Sequence, residues 1–231
     1  MIEQIEIEHH IQRHIITTLL KYESARFSDM KPPKIDTNLY SYHLKILLKN
    51  QIVKKIEKQY TLSQKGLSYV DRINSETGKT RLQPKIVVML LIQDGYGNMV
   101  VQKRTKQPYI NSWTLPYGKM HIEDDSVLDC AKREALEKLH FKVDSTNNLR
   151  HVGDCYLRVS AADDNQLIST TLAHIVRFEA DTIEVSEDVK WIEPLEMAKM
   201  KKAPCVEKII ARSFFGDKFF FEEFEDIYEV L

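Results

Sequence analysis

The chain has little of what builds the special classes of protein. It contains only 7 glycines, which excludes collagen-like and low-complexity architectures. Its three cysteines, Cys130, Cys155 and Cys205, are odd in number and widely spaced. They predict reduced thiols of a cytoplasmic protein, with neither a disulfide framework nor a zinc site. No apolar run approaches the roughly 18–20 residues that span a bilayer. The acidic N-terminus also lacks the basic region of an export signal, so we expect no membrane partner.

Charge is abundant, and its two signs are separated along the chain. The 33 Lys and Arg nearly balance the 34 Asp and Glu, which excludes a uniformly basic nucleic-acid coat. Residues 1–84 hold 14 basic and 9 acidic side chains, whereas residues 85–231 hold 19 and 25. The sign changes near the polar, aperiodic segment 74–84. We therefore predict two domains, residues 1–75 and 85–231, joined by a linker over residues 76–84.

The first domain has the periodicity of a small helical unit with one hairpin. Apolar residues recur at helical spacing, and the pair Pro32-Pro33 ends a helix because proline cannot continue one. The predicted elements are helices over residues 4–22, 25–30, 38–49 and 63–73 and a two-stranded wing over residues 52–57 and 59–62. This order is that of a winged helix-turn-helix.

A sequence pattern supports the same interpretation. Residues 41–66 resemble the recognition helix and wing of bacterial winged-helix regulators, S-x-H-L-x-x-L-x-x-x-G-L-V followed by Y-x-L-T-x-x-G. The matching residues are Ser41, His43, Leu44, Leu47, Ile52, Val53, Tyr60, Leu62 and Gly66. Gln51 replaces the usual glycine of the turn. The resemblance implies that this domain binds double-stranded DNA.

The residue types of the helix and wing suit contact with DNA. Short polar and basic side chains on the helix could read the major groove, and wing lysines could neutralise phosphates. The candidates are Asn38, Ser41, Tyr42 and Lys45 on the helix and Lys54, Lys55 and Lys58 on the wing. The alternative is a domain that mediates only protein contacts and whose lysines are simply solvated. Because winged-helix regulators match two half-sites, we also expect a homodimer.

The second domain begins with a strand and a hairpin and continues into a charged helix. The apolar run 85–93 predicts a buried strand, and residues 99–104 predict its hairpin partner. Residues 126–139 predict a helix that carries Glu134 and Glu137 one turn apart. The acidic, aromatic C-terminal segment 216–231 predicts a further helix, packed on this domain or on a partner subunit.

Residues 111–143 resemble the signature of the Nudix superfamily, G-x5-E-x7-R-E-U-x-E-E-x-G-U with U apolar. The residues that match are Gly118, Arg133, Glu134, Ala135, Glu137 and Phe141. The preceding segment NSWTLPYGK is similar to the family's W-x-L-P-G-G-K. The resemblance covers residues 85–215 and implies an α/β/α sandwich, so the whole chain is expected to be an α+β protein.

The resemblance also implies a metal site. Glutamates at this helical spacing hold hard divalent cations through oxygen ligands. By resemblance, Glu134 and Glu137 would bind Mg²⁺ or Mn²⁺, Arg133 would orient the carboxylates, and the Gly118 carbonyl would complete the site. The implied ligand is a nucleotide-type small molecule. The alternative is an exposed helix whose charges form only salt bridges, but this leaves the WTLPYGK segment unexplained.

The chain departs from the family pattern at four positions. Lys138 replaces the second glutamate of the E-E pair, Asp125 stands in for the first glutamate, Tyr117 replaces one glycine and His140 replaces another. Lys138 could oppose a metal ion or pair with Glu134 on the next turn. The acids available as substitute ligands are Glu123, Asp124, Asp125, Glu184 and Glu187.

Two functions remain open at this stage. One is a DNA-binding regulator that senses a nucleoside-diphosphate-type ligand through a weakened Nudix site. The other is a Mg²⁺-dependent hydrolase of nucleoside diphosphates linked to another group, with Glu134, Glu137, Arg133 and Asp125 as catalytic residues and the winged helix as an accessory. The chain lacks clear matches to the catalytic pair of the isoprenoid-diphosphate isomerases that share the fold.

Overall fold

The chain forms two compact units, Met1–Leu82 and Gln83–Leu231. The computed structural model describes residue 7 and residues 9–71, 73–74, 83–214 and 218–229. Most of the predicted linker, residues 76–82, lies outside this range. None of the helices in the described ranges is both long enough and apolar enough to cross a bilayer.

The described part of the first unit contains three helices and a small sheet. Its elements are α1 (His10–Leu19), β1 (Ala25–Arg26), α2 (Thr37–Lys49), β2 (Val53–Ile56), β3 (Gln59–Leu62) and α3 (Gln64–Val70). The three strands are antiparallel in the order β1–β3–β2. The core forms where Ile11 and Ile15 of α1 meet Leu44 and Leu47 of α2. The start of the predicted 4–22 helix falls among residues 1–6 and 8, outside the described part.

The helix expected over residues 25–30 is replaced by a strand and a turn. Ala25 and Arg26 pair with Tyr60 and Gln59 of β3. The backbone N–H of Arg26 donates to Asp29 Oδ2 at 3.2 Å, which fixes the turn that follows. A helix of six residues before a proline pair would form too few hydrogen bonds to offset the free-energy cost of nucleation. The start of the segment therefore pairs with the edge of the sheet instead.

The second unit is a mixed sheet with helices on both faces. Its strands are β4 (Lys85–Gln93), β5 (Met99–Lys103), β6 (Trp113–Thr114), β7 (Tyr117–Lys119), β8 (Arg150–Ala161), β9 (Leu167–Glu179), β10 (Val189–Ile192) and β11 (Phe220–Tyr228). Its helices are α4 (Val127–Leu139), α5 (Val206–Phe214) and the 3-10 segments Ser145–Asn147 and Pro194–Lys199. The sheet order is β10–β5–β4–β9–β8–β11, with β7 paired to β4 and β6 to β5.

Strand β4 is buried on both faces, as its continuous apolar run predicts. Val88 and Leu90 belong to a cluster that includes Cys130 and Ala135 of α4. Met89 belongs to a second cluster that includes residues of α5. Alternate side chains of one strand therefore contact different helices, which makes the unit an α/β/α sandwich. All three cysteines are buried and unpaired.

The C-terminal helix predicted over residues 216–231 is wrong, because residues 220–228 form strand β11. This strand runs parallel to β8 at the edge of the sheet. Phe220, Phe224 and Tyr228 pack against the α5-side cluster. Their four-residue spacing fits one helix face and equally fits alternate positions of a strand. Periodicity alone therefore could not separate the two structures.

Candidate active site

Helix α4 carries the charged residues of the site and is fixed at both ends. Ser126 Oγ accepts a hydrogen bond from the Asp129 backbone N–H at 3.1 Å, which caps the N-terminus. At the C-terminus His140 adopts a left-handed φ of 51°. That conformation favours glycine, so His140 meets the requirement of the family glycine that it replaces, with some strain.

Glu134 is a buried carboxylate held against the sheet by Gly118. Its residue exposure is 3%. A Cβ atom on Gly118 would overlap the carboxyl group of Glu134, so only glycine leaves room for this side chain. Glu134 Oε1 accepts a hydrogen bond from Arg133, while the buried Oε2 accepts none from any residue that the structure describes. An unpartnered buried carboxylate oxygen is costly unless something else binds it.

Arg133 ties the carboxylates of the site together. Its Nε donates to Asp124 Oδ1 at 2.8 Å and its Nη2 to Asp124 Oδ2 at 2.7 Å, a bidentate pair. Its Nη1 donates to Glu134 Oε1 at 2.6 Å, and its Nη2 also reaches the Lys119 carbonyl at 3.0 Å. The hydrogen bonds from Arg133 hold the pKa of Asp124 well below its usual value. The hydrogen bonds to Asp124 in turn raise the pKa of Arg133.

The structure brings Asp124, and not Asp125, to Arg133. Counting back from Arg133 by the family spacing predicts Asp125, but its side chain is exposed and has no hydrogen bond to Arg133 or Glu134. Counting six residues forward from Gly118 instead reaches Asp124, which is the family spacing from that end. The inserted residue therefore lies after Asp124 and before α4. The Gly118 spacing was the signal that identifies Asp124.

Glu137 and Lys138 lie on the solvent side of α4. The Glu137 side chain is 54% exposed and its Oε2 is 3.4 Å from Arg133 Nη1. Lys138 is exposed, and among the described residues it forms no ion pair. The suggested pair between Lys138 and Glu134 does not form, since Glu134 is buried and Lys138 is exposed. Of the other proposed substitutes, Glu123, Glu184 and Glu187 are exposed and have no hydrogen bond or ion pair to Arg133 or Glu134.

Tyr117 replaces the first family glycine at the edge of the site. It is half-buried in β7, opposite Met89 of β4. The guanidinium carbon of Arg104 lies 5.3 Å from the centre of its ring, within cation–π range. Tyr117 therefore places the cationic side chain of Arg104 beside β7, the strand that contains Gly118.

The α4 carboxylates have the donor chemistry of a hard cation site. Glu134 offers a buried oxygen that no described residue bonds, and Glu137 offers an exposed carboxylate one turn further along. Mg²⁺ and Mn²⁺ are bound by such oxygen ligands. The residues present thus fit a divalent ion, although Lys138 removes one of the carboxylates that the family pattern supplies.

The first unit presents the predicted DNA-contact residues on its surface. Six of them are exposed and Ser41 is half-buried; the exposed ones are Asn38, Tyr42, Lys45, Lys54, Lys55 and Lys58. Lys55 Nζ lies 5.7 Å from the centre of the Tyr60 ring. Within the described ranges, none of these lysines forms an ion pair. Their charges are therefore available to an external partner.

Comparison with known proteins identifies the family of the second unit. The NUDIX domain family model matches residues 83–212. The MutT protein from Bacillus halodurans is 18% identical, with 62% of this chain and 90% of that chain covered and a TM-score of 0.49. The NUDIX domain of Shewanella oneidensis NrtR, solved with ADP ribose, is 16% identical, with 65% and 98% covered and a TM-score of 0.47. No curated protein matches the chain. Because the matched residues make up more than half of its length, the chain belongs to the NUDIX domain family.

Proposed function

We propose that the chain is a DNA-binding regulator whose Nudix domain binds a nucleoside-diphosphate-type ligand without rapid hydrolysis. The observation that carries the proposal is Lys138 in place of a family glutamate, exposed and without an ion pair to any described residue. Hydrolysis of a diphosphate requires enough carboxylates to hold the cations that activate water. Binding requires only that the diphosphate charge be neutralised, and a lysine ammonium can contribute to that directly.

The architecture of the first unit supports the DNA-binding part of the proposal. Helix α2 and the β2–β3 hairpin follow each other as the recognition helix and wing of a winged helix-turn-helix do. Tyr42 and Lys45 are exposed on α2, and Lys54 and Lys55 are exposed on the hairpin. The strand β1, paired with β3, supplies the third strand of the small sheet. The proposed partner is double-stranded DNA, contacted by a homodimer at two half-sites.

A specific observation favours a second candidate, a divalent-metal-dependent Nudix hydrolase. Arg133 and Gly118 hold Glu134 in one position with a free buried oxygen, which is the preorganisation expected of a catalytic ligand. A bound divalent ion would supply charge neutralisation and an activated water. Arg133, which donates to Glu134 Oε1, would orient that carboxylate, and Glu137 would be the second one.

A turnover assay on matched variants separates the two functions. Nucleotide sugars, ADP-ribose and dNTPs are incubated with the full chain and Mg²⁺ or Mn²⁺, and product formation and ligand binding are both measured. We expect binding without turnover in the wild type and a gain of turnover in Lys138→Glu. Lys142→Glu makes the same charge change on an exposed residue after α4 and should gain nothing.

Wild-type turnover that Glu134→Gln abolishes would overturn the regulator proposal in favour of the hydrolase. The DNA part is tested independently by a gel shift with the protein's own upstream region at two salt concentrations. Sequence preference should persist at the higher salt. Light scattering after size-exclusion chromatography should give the mass of a dimer, and a monomer would contradict the two-half-site geometry.

A further inference from the structure

A cluster of two histidines and one aspartate lies in the sheet, apart from the carboxylates of α4. His151 Nε2 is 2.8 Å from Asp154 Oδ1, and His174 Nδ1 is 2.6 Å from the same oxygen. One potential ligand atom from each of the three residues lies within 4.8 Å of the other two. The His151 and His174 rings are perpendicular, with centres 5.3 Å apart. Three metal-ligating groups thus converge on one point.

The backbone is arranged to bring these three side chains to one face. Asp154 of β8 lies directly opposite His174 of β9, so their side chains share a face. His151 is three positions from Asp154 and would point to the opposite face of a regular strand. A β-bulge between His151 and Gly153 inserts the extra residue that reverses this. Bulges commonly re-aim a side chain in this way.

The glycine next to the bulge is also fixed by packing. A Cβ atom on Gly153 would collide with the ring of Phe220 from β11. The close approach of Phe220 therefore requires a glycine at position 153, next to the bulge. The three side chains are partly buried, which leaves them reachable from solution. The cluster is thus a positioned group and not three independent surface residues.

The cluster lies on the sheet face that α4 covers. His174 is opposite Val88 of β4, and Val88 is also opposite Gly118 of β7. Val88 packs in the cluster formed with α4. His174 and Gly118 are therefore separated by two strand spacings, roughly 10 Å. A ligand on the α4 carboxylates would have the histidine cluster as a neighbour on the same face.

We propose that His151, Asp154 and His174 form a binding site for a divalent first-row transition metal ion such as Zn²⁺. Two imidazoles and one carboxylate are a common ligand set for these ions, and three protein ligands leave a position open for an external ligand. Without metal, each of the two ring nitrogens that face Asp154 Oδ1 donates a hydrogen bond to it through its proton. The cation takes the place of those two protons.

A cavity next to the cluster gives the site access to an anionic ligand. Its volume is about 450 Å³, and His151 and Phe219 line it. Arg150, Arg177 and Lys218 also line it, with Glu179 as the acidic member. A metal ion at the cluster would add positive charge at the border of this basic cavity. The cavity beside the cluster is therefore suited to phosphate or carboxylate groups.

Zinc binding by the full chain tests the proposal. The experiment uses the double variant Glu134→Gln, Glu137→Gln, which lacks the α4 carboxylates. The protein is freed of metal by a chelator, and its Zn²⁺ affinity is then measured by competition with a chromogenic chelator. We expect one Zn²⁺ per chain. His174→Gln and Asp154→Asn should each weaken binding by more than about tenfold, since even outer-sphere partners of metal ligands can cost that much.

The control variant is His10→Gln, which changes an exposed histidine in the first unit that stacks on His9. It should leave Zn²⁺ affinity unchanged, and a loss there would assign binding to the N-terminal histidines and overturn the proposal. A second measurement needs no variant. Ring ¹⁵N spectra of the wild type with one equivalent of Zn²⁺ should show shifts for two of the 8 histidines. Absence of Zn²⁺ binding, or equal affinity in His174→Gln, would contradict the site.

Discussion

The two units of the chain hold their charged side chains in opposite ways. In the second unit Arg133 donates to Asp124, Glu134 and a backbone carbonyl, and its side chain is only 23% exposed. In the first unit the lysines of the wing are exposed and form no ion pair with any described residue. The first arrangement fixes an anion in place inside the protein. The second leaves cations free to meet an anion from outside.

The difference follows from the cost of burial. A charge removed from water must be paired and hydrogen-bonded, otherwise it destabilises the fold by several kcal/mol. An exposed charge is already solvated, and an ion pair on the surface contributes about 0–1 kcal/mol. Networks such as that of Arg133 therefore connect stability to site geometry, whereas the wing can change its charge without a change in the fold. Substitutions in the two regions should separate these effects.

Removal of the guanidinium should have the largest effect on stability. Arg133→Ala leaves Asp124 and Glu134 without their cation, and loss of one partner of a buried pair costs about 3–5 kcal/mol. Because Arg133 is partly exposed, we expect the lower end of that range. Both tryptophans, Trp113 and Trp191, belong to the second unit, so urea unfolding followed by tryptophan fluorescence reports on this unit.

Two further variants define what the arginine supplies. Arg133→Lys keeps the charge but loses the bidentate pair with Asp124. Its free energy of unfolding should therefore lie between those of Arg133→Ala and the wild type. Lys132→Ala removes the neighbouring lysine, whose ion pair with Asp129 at 3.0 Å is exposed. It should cost less than about 1 kcal/mol. An equal cost for Lys132→Ala and Arg133→Ala would erase the proposed difference between buried and exposed charge.

Gly118→Ala should be the next most destabilising change. The new methyl group would overlap the carboxyl group of Glu134 inside the sandwich. Overpacking of this kind costs about 1–3 kcal/mol. The matched control is Gly95→Ala, because a Cβ atom there meets no other atom within 4 Å. Similar urea midpoints for the two variants would show that Glu134 moves aside at no cost and is not held by this contact.

Asp124→Asn should have a smaller effect, and one that depends on pH. Hydrogen bonds to a charged group contribute about 1.5–3 kcal/mol, and asparagine retains part of them. The pKa of Asp124 is lowered in the folded state from its ordinary value of 3.8. Its contribution is therefore complete above that value and is lost as the pH falls towards the folded pKa.

The measurement is the free energy of unfolding of wild type and Asp124→Asn from about pH 7 downwards. The wild type should lose stability below about pH 5, and the variant should lose less over the same interval. Asp125→Asn is the matched control, since Asp125 is exposed and does not contact Arg133. If Asp125→Asn flattens the curve and Asp124→Asn does not, the assignment of the arginine's partner is reversed.

Several elements of both units follow directly from local sequence. The apolar run 85–93 predicts strand β4, and Ser126 before a helical pattern predicts the start of α4. The helix predicted over residues 38–49 is α2, which begins at Thr37 with Asp36 as its cap. These features depend on the propensities and hydrogen bonds of residues close together in sequence, so the local sequence predicts them.

Features that depend on distant residues were not predictable in this way. Segment 220–228 becomes a strand because β8 offers an edge for it. The choice of Asp124 over Asp125 depends on where the connection between β7 and α4 places its extra residue. The histidine cluster requires a bulge in β8 and a register between β8 and β9. Register is set by the whole sheet, so no local pattern reveals which side chains meet across it.

The smallest effect on stability is expected on the wing, where the functional effect should be distinct. Replacing Lys54, Lys55 and Lys58 by alanine removes three exposed charges, so the free energy of unfolding should change by less than about 0.5 kcal/mol each. DNA affinity should become less sensitive to salt. The slope of log K against log salt concentration should become shallower by about 0.9 for each lysine that contacts a phosphate.

The control variant is Lys21→Ala, which changes an exposed lysine outside the wing and α2 and should leave the slope unaltered. An unchanged slope in the triple variant would mean that the wing lysines do not contact a phosphate backbone. The difference between the two units would then concern stability and not DNA binding.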